Sequence, residues 1–509
     1  MHDDSYSHPL KTKAIFIIGV IIILVVGWSK LASISGLKIT DPFHFGEFFT
    51  SFTSMTSNQA NHNYLTNHGA LDYLPACVSF KVYGQDHYFF GTIFFYTLLN
   101  VLSMLLLYAL VAFVGKEAPR HSKNTAFIIA AILAPRLVTY RDMLLLTSLF
   151  LYFYCQREHR PLAKLFIKLG LGIAVALNLF WSFDRGIAGV VSIGLACLIM
   201  ACRKRSYFIP MIGFLLTITA LYCRTGFIGL QSYVENIKFL INTSSQWSYG
   251  WSLSSIAYSS ALLLFSLSAL IILVNSVSNK SHYSGERMAN AVLLGTLIFI
   301  FFKIGSNRAD LMHIYWGMWP AALAFLYANP GVENSVVSVP ERRFFMNRLI
   351  GAANLASIAI FVGLFIPLSF SVKDSRQLIR MLRSPPKNEE LVSEGIKWVV
   401  RELKSAGANC VFDLANHGVI NGLSGLPACT RFLYPVYATR KHEDEIIETL
   451  RNNNPPVIVY SSTEWSFSLD NKNMHERFPA LKSYLDKAYP YESCNYGYCL
   501  RYSERPRPR

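Results

Sequence analysis

Charge is scarce in this 509-residue chain, and acidic charge is scarcest: 15% of residues are charged, with 31 Asp and Glu against 47 Lys and Arg, while 52% are hydrophobic. So thin a polar complement over so long a chain excludes one ordinary soluble core. With 14% aromatic residues and apolar residues spread evenly from end to end, the chain reads as a multi-pass α-helical membrane protein. Three further absences narrow the reading. No small-residue cleavage site follows the first apolar segment, which argues against a removed signal peptide. No internal repeat and no set of mid-span ionisable residues is present, which argues against a secondary transporter. No spacing carries a metal signature, which leaves a divalent cation as an open requirement.

What is present is a succession of apolar segments. Residues 14–33 supply nearly enough uninterrupted apolar length for about 30 Å of hydrocarbon, and Lys11 and Lys13 precede them, so the amino terminus is expected inside. Further spans are expected near 88–114, 125–139, 142–155, 165–183, 186–202, 207–223, 256–275, 290–305, 312–328 and 348–371, about eleven in all. Alternating them places Lys116, Arg120 and Lys123, Arg157, Arg160, Lys164 and Lys168, Arg203, Lys204 and Arg205, Lys280 and Arg287, and Arg342, Arg343 and Arg348 in inner loops. That positive-inside pattern accounts for most of the formal charge of +16, so nucleic-acid binding is not needed to explain it.

The same alternation puts residues 34–87, 224–255 and everything after about 372 on the outer side. Residues 1–372 are thus expected to form a transmembrane domain with a long first outer loop at 34–87, and residues 373–509 a small extracytoplasmic α/β domain. Within the latter, 389–406 and 440–452 have helical composition, whereas "ANCVFDLANHGVINGLSGLPACTRFLYP" and "PPVIVYSSTEW" are Val-, Ile-, Phe- and Tyr-rich runs with the look of strands and turns. Four cysteines fall here, and an oxidising compartment allows Cys410 to pair with Cys429 and Cys494 with Cys499, other connectivities remaining open.

The scarce acidic residues are not scattered. "ITDPFHFGEFF" holds Asp41, His44 and Glu47 just after the first apolar segment, and "NHGALDYLP" holds His68 and Asp72 at i, i+4. "YRDM" holds Arg141 and Asp142, "FDRG" holds Asp184 and Arg185, and "SNRADLMH" holds Arg308, Asp310 and His313. An Arg beside an Asp at a span end also suits an interfacial anchor or a structural ion pair. Anchors would scatter over both faces, however, and these motifs all fall on the predicted outer one, where charges at membrane depth mark a site.

This arrangement resembles the GT-C superfamily of integral-membrane glycosyltransferases: an acidic residue early in the first outer loop, an HGxLDYLP-like segment, many spans, Arg-Asp motifs in later outer loops and an extracytoplasmic carboxyl-terminal domain. The resemblance covers most of the chain. It implies transfer of a sugar from a polyprenyl-phosphate donor to a glycolipid, polysaccharide or protein acceptor outside the membrane, usually with inversion. A carboxylate must take the acceptor's proton and cations must hold the departing phosphate. Asp41 matches the family's acidic residue nearest the first span and is expected as the base, with Glu47 its competitor and His44, one turn away, orienting it. Asp41 also suits a helix cap ahead of Pro42. Arg185 and Arg308, then Arg141, are expected to hold the phosphate, because guanidinium binds it bidentately and stays charged near lipid. Asp142, Asp184 and Asp310 would steady those arginines or bind a divalent cation, and His68, Asp72 and His313 would support the acceptor side. A polymerase or ligase of lipid-linked glycans is the nearest alternative, although its key residues belong in a large late outer loop, and residues 224–255 are poor in charge.

Overall fold

In a computed structural model of the chain, the residues described are 8–33, 39, 41–57, 64–66, 68–115, 120–243, 253–278, 285–308, 311–328, 372–461 and 474–505. Among the described residues twelve α-helices precede residue 329: α1 (His8–Ser33), α2 (His44–Thr56), α3 (Leu74–Tyr83), α4 (Tyr88–Val114), α5 (Arg120–Leu137), α6 (Met143–Arg157), α7 (Pro161–Trp181), α8 (Phe183–Ala201), α9 (Ile209–Thr243), α10 (Leu253–Ser278), α11 (Gly285–Arg308) and α12 (Leu311–Ala328). Among the described residues seven stretches are long and apolar enough to cross a membrane: Thr12–Leu31, Tyr88–Val114, Pro161–Trp181, Phe183–Ala201, Arg205–Arg224, Leu253–Val277 and Gly285–Asn307. The three other expected spans in described regions coincide with α5, α6 and α12, of 18, 15 and 18 residues. A 15-residue helix is only about 22 Å long, short of the hydrocarbon thickness. The span expected at 348–371 lies outside the described residues.

After residue 371 follow α13 (Val372–Arg383), α14 (Glu394–Ser405), α15 (Val419–Ser424), α16 (Glu443–Asn453), β1 (Val457–Ser461), α17 (Met474–Arg477), α18 (Pro479–Ala488), β2 (Tyr491–Asn495) and β3 (Tyr498–Tyr502). The strands form one antiparallel sheet in the order β1-β3-β2, with Val457 and Tyr491 both opposite Tyr502. Tyr496 and Gly497 both take positive φ, which a two-residue hairpin turn requires. The helices match the composition of 389–406 and 440–452. The run from 408 to 435, read from sequence as strands and turns, holds instead the short helix α15 and isolated parallel bridges pairing Val411 with Ala428, Asp413 with Val459 and Phe432 with Leu65. Disulfides join Cys410 to Cys429 and Cys494 to Cys499.

The chain divides into two compact units. One comprises the described residues of Met1–Lys30, Thr97–Gly226 and Trp251–Phe370. In it α8, α11, α12 and α10 pack in sequence, α6 and α7 pack as a pair, and one apolar core runs from Ile23 to Ala328. The other unit is assembled from three stretches of chain, Leu31–Tyr96, Phe227–Gly250 and Ser371–Arg509. Its core joins Phe43 and Leu65 of the first loop to Phe412, Phe432, Tyr434 and Ile458 of the tail. Backbone bonds stitch the pieces: Ile39 N–H donates to the Leu391 carbonyl at 2.6 Å, and Leu65 N–H to that of Arg431 at 2.8 Å. Asn388 fastens the loop before α4, donating to the Gln85 carbonyl at 2.7 Å and accepting from Phe89 N–H at 3.0 Å.

Candidate active site

In the unit that holds the first loop, Asp41 stands immediately before the Pro42–Phe43 turn into α2. Its Oδ1 accepts from the backbone N–H of His44 at 3.0 Å, and its Oδ2 lies 2.7 Å from the His44 ring Nδ1. Capping and pairing with His44 are therefore the same arrangement: the first free N–H of a helix and an imidazole both point at one carboxylate. The pair is open, with side chains 46% exposed for Asp41 and 67% for His44. Partial burial pushes the Asp41 carboxyl up, but the bonds from the His44 side chain and backbone outweigh it and hold the group below its ordinary value.

One turn on, Glu47 has a different environment. It is 5% exposed; one oxygen accepts from the Tyr437 hydroxyl at 2.8 Å and the other lies 3.5 Å from His68 Nδ1. His68 in turn lies 3.2 Å from the buried Asp72 carboxylate. The imidazole thus sits between two carboxylates, and with Thr50, Ser51 and Tyr434 they line a cleft with room for about one water. Glu47 lies on α2 and Asp41 ahead of it, and the two carboxylates keep separate partners.

The second set of charges lies wholly in the other unit. Thr139 caps a single 3-10 turn, Tyr140–Asp142, whose Asp142 carboxylate accepts back from Thr139 N–H at 2.8 Å. Ser182 breaks the chain between α7 and α8 and places Asp184 and Arg185 in the first turn of α8. Arg141 donates to Asp184 at 2.7 Å and to the Ser182 hydroxyl at 3.3 Å. Arg185 donates to Asp142 at 3.1 Å and also to Asp184. Two arginines and two aspartates therefore neutralise one another, as buried charges require. Exposure separates the arginines: Arg185 is 1% exposed and lies over the Phe301 ring, whereas Arg141 is 18% exposed beside an Asp184 that is 29% exposed.

His313 lies on α12, its ring 4.7 Å from that of Trp316. The Arg308 side chain and Asp310 lie outside the described residues. Among the described residues, the group with metal-ligand spacing is Glu492, Cys494 and Cys499, whose two cysteines are joined in a disulfide.

Several contributors escaped the sequence reading. Tyr434 and Tyr437 reach the first loop from about 390 positions away, Tyr434 donating to the Phe43 carbonyl at 2.7 Å. Ser182 and Thr139 have a local signal, each being a polar residue just ahead of a helical turn that begins with the motif.

No family model matches the sequence, and no curated protein does. Solved structures do. The chain is similar to the oligosaccharyltransferase AglB of Archaeoglobus fulgidus in complex with an inhibitory peptide and a dolichol-phosphate, with a TM-score of 0.50 at 10% identity over 95% of this chain and 73% of that one. The apo form of the A. fulgidus oligosaccharyltransferase gives the same TM-score over 90% and 70%. ArnT from Cupriavidus metallidurans bound to undecaprenyl phosphate is matched over 98% of both chains with a TM-score of 0.46. What these matches share with the chain is the fold, that of the A. fulgidus oligosaccharyltransferase.

Proposed function

We propose that this chain is a membrane glycosyltransferase that moves a sugar from a polyprenyl-phosphate donor to a glycan, glycolipid or protein acceptor on the extracytoplasmic face, with inversion. The observation that carries the reading is the open Asp41 carboxylate, held by His44 at the first turn after the first span, in a chain with the GT-C fold. An acceptor hydroxyl attacks the anomeric carbon while Asp41 takes its proton. The bond from that carbon to the phosphate oxygen breaks, and the electron pair leaves with polyprenyl phosphate.

A base for this step must be ionised and reachable. Asp41 is both, while Glu47 has its oxygens engaged and is buried, which suits it to holding His68 and Tyr437. The departing phosphate needs a cation that can turn toward it. Arg185, the stronger expectation from sequence, is enclosed by Asp142 and Asp184 and suits the part of a brace. Arg141, whose guanidinium is the more open of the two, takes the phosphate role beside Arg308.

The test is direct. Purified protein in lipid nanodiscs is given a panel of polyprenyl-phosphate sugars with glycan and lipid acceptors, and free polyprenyl phosphate is followed by mass spectrometry. Release that depends on an acceptor supports the reading, and Arg141→Ala should raise the donor KM roughly tenfold or more. Intact donors throughout, or solute movement without donor loss, would replace the enzyme by a transporter.

A further inference from the structure

The loop 413–418 of the tail is built around a buried carboxylate. Asp413 Oδ1 accepts from Ala415 N–H at 2.9 Å and Oδ2 from His417 N–H at 2.5 Å. Asn416 takes a left-handed φ of 56° and accepts from Val436 N–H at 3.0 Å. The result is a rigid turn that presents His417 just before α15. The same turn is locked onto the first loop of its own unit. Tyr434 Oη accepts from Gly418 N–H at 3.2 Å while donating to the Phe43 carbonyl, so one hydroxyl ties the residue after His417 to the second residue after Asp41. Two glycines permit this approach: a Cβ on Gly46 would stand 2.6 Å from Gly418 N, and one on Gly418 would stand 2.5 Å from the Gly46 carbonyl oxygen.

The His417 ring is oriented by one bond, from its Nδ1 to the Tyr498 hydroxyl at 2.7 Å. We assign the Tyr498 hydroxyl as donor and Nδ1 as acceptor, burial keeping the phenol protonated. The ring proton of a neutral imidazole then sits on Nε2. Burial holds His417 down to about 4, against the pull of the nearby Asp41 carboxylate, so the ring is neutral at physiological pH. Nε2 makes no hydrogen bond among the described residues. A fixed N–H donor and a fixed carboxylate acceptor thus flank the start of α2.

We infer that His417 is a positioning residue for the acceptor, its Nε2–H donating to the oxygen next to the hydroxyl that Asp41 deprotonates, and that the acceptor is a saccharide bearing a vicinal diol. This rests on the proposed glycosyl transfer. A diol offers one hydroxyl as donor to the carboxylate and the neighbouring oxygen as acceptor for the imidazole, a pairing that a lone hydroxyl or a peptide amide does not reproduce.

The experiment reads binding apart from turnover. Ligand-observed NMR on the full chain in nanodiscs uses methyl α-mannopyranoside and methyl α-glucopyranoside as probes, with cyclohexanol as the single-hydroxyl control, and undecaprenyl phosphate binding is measured separately. Wild type should bind a glycoside and not cyclohexanol. His417→Ala should weaken glycoside binding roughly tenfold, the size of one hydrogen bond, and His417→Gln, whose amide N–H replaces Nε2–H, should restore it. Tyr498→Phe, which frees the tautomer, should fall between. Equal glycoside binding by wild type and His417→Ala, equal loss in the Ala and Gln variants, or no glycoside binding by wild type overturns the inference. Glycoside binding that depends on His417 while no undecaprenyl phosphate binds would instead count against the donor reading alone.

Discussion

Asp41 owes its character to residues within one helical turn, and its pH behaviour follows from them. Burial raises the Asp41 carboxyl, while the bonds that His44 donates lower it. Removing the imidazole in His44→Ala leaves the burial and the backbone bond and deletes the side-chain bond, so the group titrates at higher pH. The acid limb of the pH profile of kcat/KM should therefore move upward, and an unmoved limb would disconnect His44 from the base. His417 carries a second, separable signature. Its folded value of about 4 lies below the ordinary 6.5, so its neutral form stabilises the fold above about 6.5, and that contribution is lost as pH falls toward 4. Asp413, raised by burial to about 7, has the opposite slope: its contribution is present in acid and lost as pH rises through 7. Comparing His417→Gln with wild type cancels the Asp413 part, so the variant should gain melting temperature relative to wild type between about pH 6.5 and 4. Asp41 and His44 were legible because they are three positions apart. Tyr434, Tyr437 and His417 were not, because a contact across some 370 to 390 positions leaves no local pattern.

At the level of elements, α2 is set by a close approach that tolerates no side chain. In Gly46→Ala the new methyl meets Gly418 N at 2.6 Å and Val419 N at 2.7 Å, both backbone atoms that cannot turn aside. The overpacking should cost about 1–3 kcal/mol, read as a lower melting temperature of the full chain, and an unchanged melt would show that α2 and α15 separate freely. The two disulfides act on other loops. Mass spectrometry without reductant should find Cys410 linked to Cys429 and Cys494 to Cys499, and Cys410→Ser should destabilise by roughly 2–4 kcal/mol. Long apolar helices were readable because a membrane demands length and hydrophobicity, which composition records directly. The β2–β3 hairpin was missed because Tyr491–Asn495 is mostly exposed and polar, and its pairing is fixed by the Tyr496–Gly497 turn instead of by an alternating apolar face. Arg141 of YRDM ranked behind Arg185 and Arg308 in the sequence, yet Thr139, Ser182 and Asp184 give it an ordered, half-open setting that only the folded unit supplies.

For the whole molecule, the basic clusters expected on the inner side predict that a reporter fused after Ser206 is cytoplasmic and one fused after Arg509 extracytoplasmic. A cytoplasmic carboxyl terminus would put the tail on the wrong side for an extracytoplasmic acceptor. That the first loop and the tail share one compact unit was not visible in sequence, since an apolar residue such as Phe43 or Leu65 does not announce which distant segment it will pack against. The central claim, that Asp41 is the base of a lipid-linked sugar transfer, is tested most directly by the single-turnover rate of Asp41→Asn, measured beside Glu47→Gln with saturating donor. Asp41→Asn should slow transfer by roughly 10² to 10⁴ with donor affinity kept, while Glu47→Gln slows it far less. Near-normal transfer by a folded Asp41→Asn, with the large loss falling on Glu47→Gln, would contradict the assignment.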